Sequence, residues 1–348
     1  MIKRRISKAI QIGDVTVGGD APITVQSMTK TDTRDAQATI NQIKELEEGG
    51  CEIIRCAVPD LEAAQALKFI KKGIRIPLIA DIHFDYRLAL EVLKSGVDAL
   101  RLNPGNITDP EKVKLVVQEA KVRQTPIRIG VNFGSLPEDI EPALSVPEKM
   151  VEAALRHIRI LENLDFDLIK ISLKAFDVPT TVAAYRLMAQ KVDYPLHIGI
   201  TESGTLKQGM IRSAVGIGIL LSEGLGDTLR VSLTSHPRDE VYAGFEILKS
   251  LNLREHGPSL VSCPTCGRTE SHLMDIAGAV EQYLGQIKKP VKVAVMGCVV
   301  NGPGEAKDAD IGVACGSGKA VLFKKGQKLR VVEEKDILSE LKKEIENL

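Results

Sequence analysis

The sequence predicts a (β/α)8 TIM barrel followed by a small α+β domain. Three observations carry this. Residues 23–251 hold about eight strand-then-helix units. The strands are apolar runs without polar alternation, which suits a parallel sheet covered on both faces. The alternation then stops at a polar, Gly/Pro-containing stretch over 252–262, beyond which four of the six cysteines lie. An open doubly wound sheet is the alternative, but no G-x-G-x-x-G follows the first strand to support a dinucleotide fold. The expected division is 1–253 for the barrel and 254–348 for the second domain.

In chain order, the first 22 residues are a basic lead-in with a hairpin turn at Gly18-Gly19-Asp20. Strand 23–28 leads to an amphipathic helix over 35–48, ended by Gly49-Gly50. Strand 51–58 leads to helix 61–72, and strand 77–82 to helix 87–94, stopped by Gly96. Strand 99–103 leads to helix 110–123, with Asp109 as its N-cap. Strands 126–133, 168–174, 195–201 and 228–234 alternate with helices 147–164, 179–191, 207–222 and 237–251. After the linker come a C-x-x-C loop, helix 276–287, strand 291–296 and a loop at Cys298. Strand 310–314, a hairpin over 320–332 around Lys325-Gly326, and helix 337–345 complete the chain. A unit below about 100 residues gains from a metal staple.

Composition narrows the function. A chain of 348 residues, 44% hydrophobic, is long enough for two domains with buried cores. Its 46 basic residues balance 46 acidic ones, which points to neither nucleic acid nor an acidic membrane surface as partner. With no Trp and 3% aromatics it offers no base-stacking platform. The basic start Met1-Ile2-Lys3-Arg4-Arg5 precedes no apolar core of a signal peptide, and no run approaches the roughly 18 apolar residues of a membrane span. A cytoplasmic location is the expectation. Six Cys in a chain of this length fit metal binding or reactivity better than a disulfide scaffold.

The informative feature is charge inside strands that should be apolar. Residues i and i+2 of a strand share a face. Asp81 and His83 share one, as do Arg101 and Asn103, then Arg128, Gly130 and Asn132, then Lys170, Ser172 and Lys174, then Arg230, Ser232 and Thr234. Arg55 sits inside the second strand, and Thr201, Glu202 and Ser203 end the seventh. A single Arg at a strand end is usually a salt-bridge partner for the next helix. Five strands each presenting a cation are different, because unpaired buried charge is very costly. Asp81 and Glu202 are too few to neutralise Arg55, Arg101, Arg128, Lys174 and Arg230. The missing negative charge is then a ligand, and Arg suits bidentate phosphate contacts at the C-terminal ends of barrel strands. A polyanion carrying two phosphates is the expected substrate.

The second signal is Cys263-Pro-Thr-Cys266, answered by Cys298 before a Gly/Pro turn. Thiols at this spacing suit zinc or an iron–sulfur cluster. A structural zinc site completed by Cys298 and Cys315 is one reading and an iron–sulfur cluster the other. Cys315 lies in the apolar pattern Ile311-Gly312-Val313-Ala314 and reads as a packed thiol. Cys51 and Cys56 read as core residues on opposite faces of one strand. The C-x3-C-x2-C run of radical S-adenosylmethionine enzymes is absent. His157, His236, His256 and His272 read as structural or solvated. His197 falls early in its strand, nearer the stability face than the chemistry.

The loops Cys-Pro-Thr-Cys-Gly-Arg (263–268) and Gly-Cys-Val-Val-Asn-Gly-Pro-Gly-Glu (297–305) resemble those of bacterial 4-hydroxy-3-methylbut-2-en-1-yl diphosphate synthases. Val25-Gln26-Ser27-Met28-Thr29, Ala80-Asp81-Ile82-His83-Phe84, Arg101-Leu102-Asn103-Pro104-Gly105-Asn106, Gly130-Val131-Asn132 and Gly199-Ile200-Thr201-Glu202 are also similar to that family. The resemblance implies reductive opening of 2-C-methyl-D-erythritol 2,4-cyclodiphosphate to the linear allylic diphosphate in the non-mevalonate isoprenoid pathway. It implies a 4Fe–4S cluster held by Cys263, Cys266, Cys298 and Glu305, with Cys315 left out. Diphosphate contacts carry over to Arg55, His83, Arg101, Arg128, Lys174, Arg230 and Ser232, with Asn132 nearby and Asp81 and Thr201 on the same strand ends. Glu202 is the implied acid/base, and Asn301 lies near the cluster's open corner. Flavodoxin or ferredoxin is the implied electron donor, and a head-to-tail homodimer the implied assembly. A competing expectation from another class is a zinc-stapled barrel module that binds a phosphorylated metabolite without redox chemistry.

Overall fold

The structure, a computed structural model, describes the chain except for Met1, Thr108, Glu270, residues 299–303 and Glu305, and the side chains of Pro104 and Ser135. Internal contacts divide it into Met1–Arg254 and Glu255–Leu348. In the first unit a short hairpin of β1 (Ile10–Ile12) and β2 (Val15–Val17) precedes eight parallel strands. These are β3 (Thr24–Met28), β4 (Ile53–Ala57), β5 (Leu78–Asp81), β6 (Ala99–Arg101), β7 (Ile127–Asn132), β8 (Ile169–Lys174), β9 (His197–Ile198) and β10 (Thr228–Leu229). Their order is β8-β7-β6-β5-β4-β3-β10-β9, and a parallel bridge between Ile171 and Leu196 joins β8 back to the β9 segment. The sheet is therefore a closed barrel, as the sequence predicts.

The helices are α1 (Ala36–Glu48), α2 (Leu61–Gly73), α3 (Tyr86–Lys94), α4 (Pro110–Val122), α5 (Val146–Glu162), α6 (Val178–Lys191), α7 (Leu206–Ser222) and α8 (Pro237–Ser250). The logic of α3 is typical. The Asp85 side chain accepts from Arg87 N at 2.9 Å and caps the first turn. Leu88, Ala89, Val92 and Leu93 form the buried stripe, and Gly96 stops the helix at φ +82°. Outward-facing strand residues such as Val25, Ile54, Leu78 and Leu100 pack on these stripes in one continuous core.

Three sequence expectations for the first unit are corrected. The lead-in hairpin turns at Gly13-Asp14, since Ile12 pairs with Val15 and Gly13 supplies φ +59°. Gly18 and Gly19 form a separate turn into β3. The seventh and eighth strands shrink to two residues each. Just past the seventh strand the two segments run close together at Gly199, where an added Cβ would lie 2.4 Å from the Arg230 carbonyl oxygen. Cys51 and Cys56 both join the outer barrel core, because Cys51 precedes its strand; burial pushes both thiols up to about 12.

The second unit is a five-stranded sheet in the order β11 (Ser259–Ser262), β12 (Lys292–Met296), β13 (Ile311–Cys315), β14 (Lys319–Lys324), β15 (Gln327–Glu333). The first three strands are parallel, the rest antiparallel. Helices α9 (Leu273–Leu284) and α10 (Ile337–Glu346) cover one face, with Val293, Val295, Val313 and Cys315 packed beneath Val280, Leu341 and Ile345. On the other face Ala294, Met296 and Phe323 pack with Ala306 and Ala309. Strand β11 lies where the sequence suggested only linker; Leu260-Val261 is too short a pattern to announce it. Helix α9 starts three residues before its expected start at 276.

Candidate active site

The barrel interior changes character within one i+2 step. At its N-terminal end Ile53, Ile79 and Ala99 pack against Ile10, Ile12 and Val17 of the hairpin, which plugs that mouth. Two residues further along the same strands stand Arg55, Asp81 and Arg101, all buried. Asp81 is their hub. Its carboxylate lies 3.5 Å from Arg55 Nε, 3.4 Å from Arg101 Nη1 and 3.7 Å from His83 Nε2. Burial pushes the Asp81 carboxyl up, but Arg55, Arg101, Arg128 and His83 outweigh it and hold it below the usual carboxylate range. Arg55 also rests its guanidinium on the Met28 sulfur at 2.9 Å.

The other strands continue the ring. Arg101 Nη2 and Asn103 Nδ2 both donate to the Gly130 carbonyl, at 3.1 and 2.9 Å, while Gly130 N donates to Asn103 Oδ1 at 2.8 Å. Gly130 is needed for this, since a Cβ there would sit 2.9 Å from Arg101 Nε. Arg128, fully buried, donates to Ser172 Oγ at 3.0 Å. Lys174 approaches His197 Nε2 at 3.3 Å, and Arg230 pairs with Glu240 at 3.5 Å. Lys170 is 1% exposed, and its Nζ has no hydrogen-bond partner. Burial, then the neighbouring cations, hold Arg128, Lys170 and Lys174 far below their ordinary values.

Among the described residues, Arg55, Arg101, Arg128, Lys170, Lys174 and Arg230 are thus set against two carboxylates, Asp81 and Glu240. The third buried acid, Asp227, is occupied at the N-terminal end by Arg4, Ser7 and Leu196 N. A surplus of cations in a low-dielectric interior is stable only with bound anions or lost protons. The cup is built for a compact polyanion.

The remaining candidates sit around its rim. His83 is 56% exposed at its side chain, and its ring contacts Arg101 Nη1 at 3.3 Å. Asn132 ends β7 half-buried; Thr201 and Ser232 are half-buried, and the Ser232 carbonyl accepts from Ser203 Oγ. Glu202 is exposed, on left-handed backbone at φ +52°. Asn301 and Glu305 lie outside the described residues.

Sequence reasoning missed Glu240 and undervalued His197. Glu240 comes from α8, is 1% exposed, and accepts from Leu233 N at 3.0 Å and Ser27 Oγ at 3.2 Å while facing Arg230 and Lys30. The available signal was a carboxylate inside the buried stripe Glu240, Val241, Gly244, Phe245, Leu248. His197 is wholly buried within the ring instead of lying on the stability face. His157 is also not idle: its Nδ1 accepts from Gly105 N at 2.8 Å.

In the second unit the cysteines lie at one end of the sheet. Ser262 pairs with Val295 on adjacent parallel strands, so Cys263 and Cys298 follow neighbouring strand ends. Cys263 N donates to the Val295 carbonyl at 3.1 Å. The loop after Cys263 folds over Thr269: Cys266 N donates to Thr269 Oγ1 at 3.1 Å, and Thr269 N to the Cys266 carbonyl at 2.9 Å. Thr269 in turn sits on Gly297, where a Cβ would lie 3.1 Å from its Oγ1. Glycine before Cys298 thereby lets the C-x-x-C loop approach. Cys266 is exposed and Cys263 and Cys298 half-buried, whereas Cys315 is buried on the helical face, with its thiol pushed up by burial. Among the described residues no three His, Cys, Asp or Glu side chains converge into a closed metal nest. The soft donors, their exposure and their shared sheet end fit an iron–sulfur cluster completed by a further ligand.

A closed barrel with a cationic cup at its strand ends, followed by a domain presenting thiols at strand ends, defines a barrel enzyme for a phosphorylated ligand with a thiolate-bound metal centre. The chain belongs to the GcpE family: residues 7–245 match the GcpE TIM-barrel domain and residues 259–347 the GcpE protein C-terminal domain. A 4-hydroxy-3-methylbut-2-en-1-yl diphosphate synthase (flavodoxin) of Dehalococcoides mccartyi is 64% identical over 348 residues, covering 100% of both chains. The protein of that name from Geobacter sulfurreducens is 60% identical over 344 residues, covering 98% of each. Dihydropteroate synthase from Stenotrophomonas maltophilia shares the barrel alone, with a TM-score of 0.52 at 13% identity over 71% of this chain and 97% of that one. No helix among the described residues is long and apolar enough to cross a membrane.

Proposed function

We propose that this chain is an iron–sulfur oxidoreductase that converts 2-C-methyl-D-erythritol 2,4-cyclodiphosphate to 4-hydroxy-3-methylbut-2-en-1-yl diphosphate. The surplus of buried cations at the strand ends carries the reading, because a cyclic diphosphate supplies two of the negative charges the cup lacks. Two electrons enter per turnover, a ring C–O bond breaks to free one end of the diphosphate, and the hydroxyl departs as water. A 4Fe–4S cluster belongs to this reading, held by Cys263, Cys266, Cys298 and Glu305; when bound it supplies electrons one at a time. Flavodoxin, the donor in the relatives' names, is the donor proposed here, with ferredoxin as the alternative. A head-to-tail homodimer completes the proposal.

The chain's own residues have distinct tasks. Arg55, Arg101 and Arg128, aligned through Asp81 and Ser172, grip the phosphates and fix the ring's orientation. Lys174 and Arg230 close the ring from β8 and from the segment after β10, and His83, Asn132, Thr201 and Ser232 meet the substrate at the rim. Glu202, on the loop after β9, delivers the proton to the departing hydroxyl. Glu202→Gln is expected to leave KM within about twofold and lower kcat by about 100-fold or more. Steady-state kinetics with reduced flavodoxin checks this, and an unimpaired variant removes Glu202 from the proton step.

A further inference from the structure

We propose that His197 is a positioning residue of the cup: its Nε2 holds the Lys174 ammonium toward the anion, and the Lys174–His197 pair takes up a proton as the anion enters. The inference rests on the reading of the cup as a diphosphate site, and it adds a residue and a linked proton to that reading.

The geometry is specific. His197 Nε2 lies 3.3 Å from Lys174 Nζ, both side chains are buried, and no carboxylate lies within ion-pair distance of Lys174 among the described residues. One phenol fixes both partners. Tyr185 OH donates to the His197 carbonyl at 2.5 Å and accepts from Leu173 N, next to Lys174, at 3.0 Å. Gly199, just past β9, makes room, since a Cβ there would come 3.3 Å from Lys174 Nζ. His197 Nδ1 has no hydrogen-bond partner, so Lys174 is the contact that gives this imidazole a task.

The surroundings decide the protons. Burial first, then Lys174, Arg128, Lys170 and Arg55, keep His197 neutral and able to accept through Nε2. Facing Lys174 are Arg128 on β7, Arg230 after β10, Arg55 on β4 and Arg101 on β6, with Lys170 on its own strand. The two acids of the ring are engaged elsewhere, Asp81 by Arg55 and Arg101, Glu240 by Arg230 and Lys30. Arginines do not give up protons, so in the empty cup the repulsion is relieved at the two lysines, of which Lys174 is the one whose ammonium meets an acceptor, His197 Nε2, while Lys170 Nζ has none. An entering dianion cancels that repulsion and the proton returns. His197 raises the lysine's pKa by accepting from its charged form, so without His197 the proton is lost at lower pH.

The test uses the anaerobically purified full chain and trimetaphosphate, a cyclic anion that does not titrate near neutrality. Calorimetric titrations between about pH 6.5 and 9, in two buffers of different ionisation heat, read affinity and proton uptake together. The wild type is expected to take up close to one proton at the alkaline end, with affinity falling about tenfold per pH unit there. His197→Phe is expected to start that fall about one unit lower and to bind about tenfold more weakly at pH 8. His197→Gln, whose amide oxygen reaches the place of Nε2, is expected to restore both. Binding by the wild type without proton uptake overturns the inference. So does a His197→Phe protein of lowered melting temperature but unchanged pH profile, which marks a packing role only. Should the Phe variant fail to fold, wild-type uptake and the Gln variant still decide. A wild type that binds neither trimetaphosphate nor the cyclic diphosphate removes the diphosphate reading itself, and this inference with it.

Discussion

Asp81→Asn is expected to lose about 3–5 kcal/mol of barrel stability near neutral pH, because it leaves Arg55 and Arg101 buried without their carboxylate. Burial raises the Asp81 pKa, but the surrounding cations lower it more, so its folded value lies below the unfolded one. Its contribution is therefore complete above the ordinary aspartate range and is lost as pH falls through the depressed value. Urea denaturation of the two proteins should differ widely at pH 7 and converge in acid. The variant's extra positive charge has a second consequence: trimetaphosphate should raise its melting temperature more than it raises the wild type's. Equal urea midpoints at pH 7 would mean that the arginines do not depend on Asp81.

Cys266→Ser is expected to abolish turnover and to give protein without the broad visible absorbance of an iron–sulfur cluster, while anion binding by the barrel stays within about twofold of wild type. The loop around Cys266 is tied locally, through Thr269 and Gly297, and the residues named for the cup all belong to the first unit. A hydroxyl in place of the soft, exposed sulfur removes one of the proposed ligands from an already sparse set. Metal analysis and the spectrum after anaerobic purification check this. A colourless wild type loaded with zinc would instead favour a stapled binding module, and a Cys266→Ser protein with full colour would take Cys266 out of the ligand set.

The barrel was legible because each strand and helix carries its own period. The apolar runs and the stripe of α3 need no knowledge of their neighbours. The cations were legible for the same reason: Arg55, Arg101 and Arg128 break an apolar pattern. What stayed hidden depends on register and closure, which a period does not encode. The Lys174–His197 contact crosses from β8 to β9 and exists only because the barrel closes. Glu240 reaches the ring from a helix, so reading the strands alone undercounts the carboxylates. The true lead-in turn at Gly13 and the short strand β11 were lost to stronger local signals beside them, Gly18-Gly19 and the polar linker. Of the named site residues, Asn301 and Glu305 lie outside the described part of the chain, and their roles stand on resemblance.

The measurement that goes most directly to the proposed chemistry is the electron count of the reaction. Anaerobically purified protein is mixed with 2-C-methyl-D-erythritol 2,4-cyclodiphosphate and a measured amount of reduced flavodoxin, and the products are resolved by mass. The expected result is the linear allylic diphosphate, one molecule formed for every two electrons the flavodoxin delivers. Recovery of the cyclic diphosphate unchanged, from protein that holds its cluster and binds the compound, would contradict the proposed function.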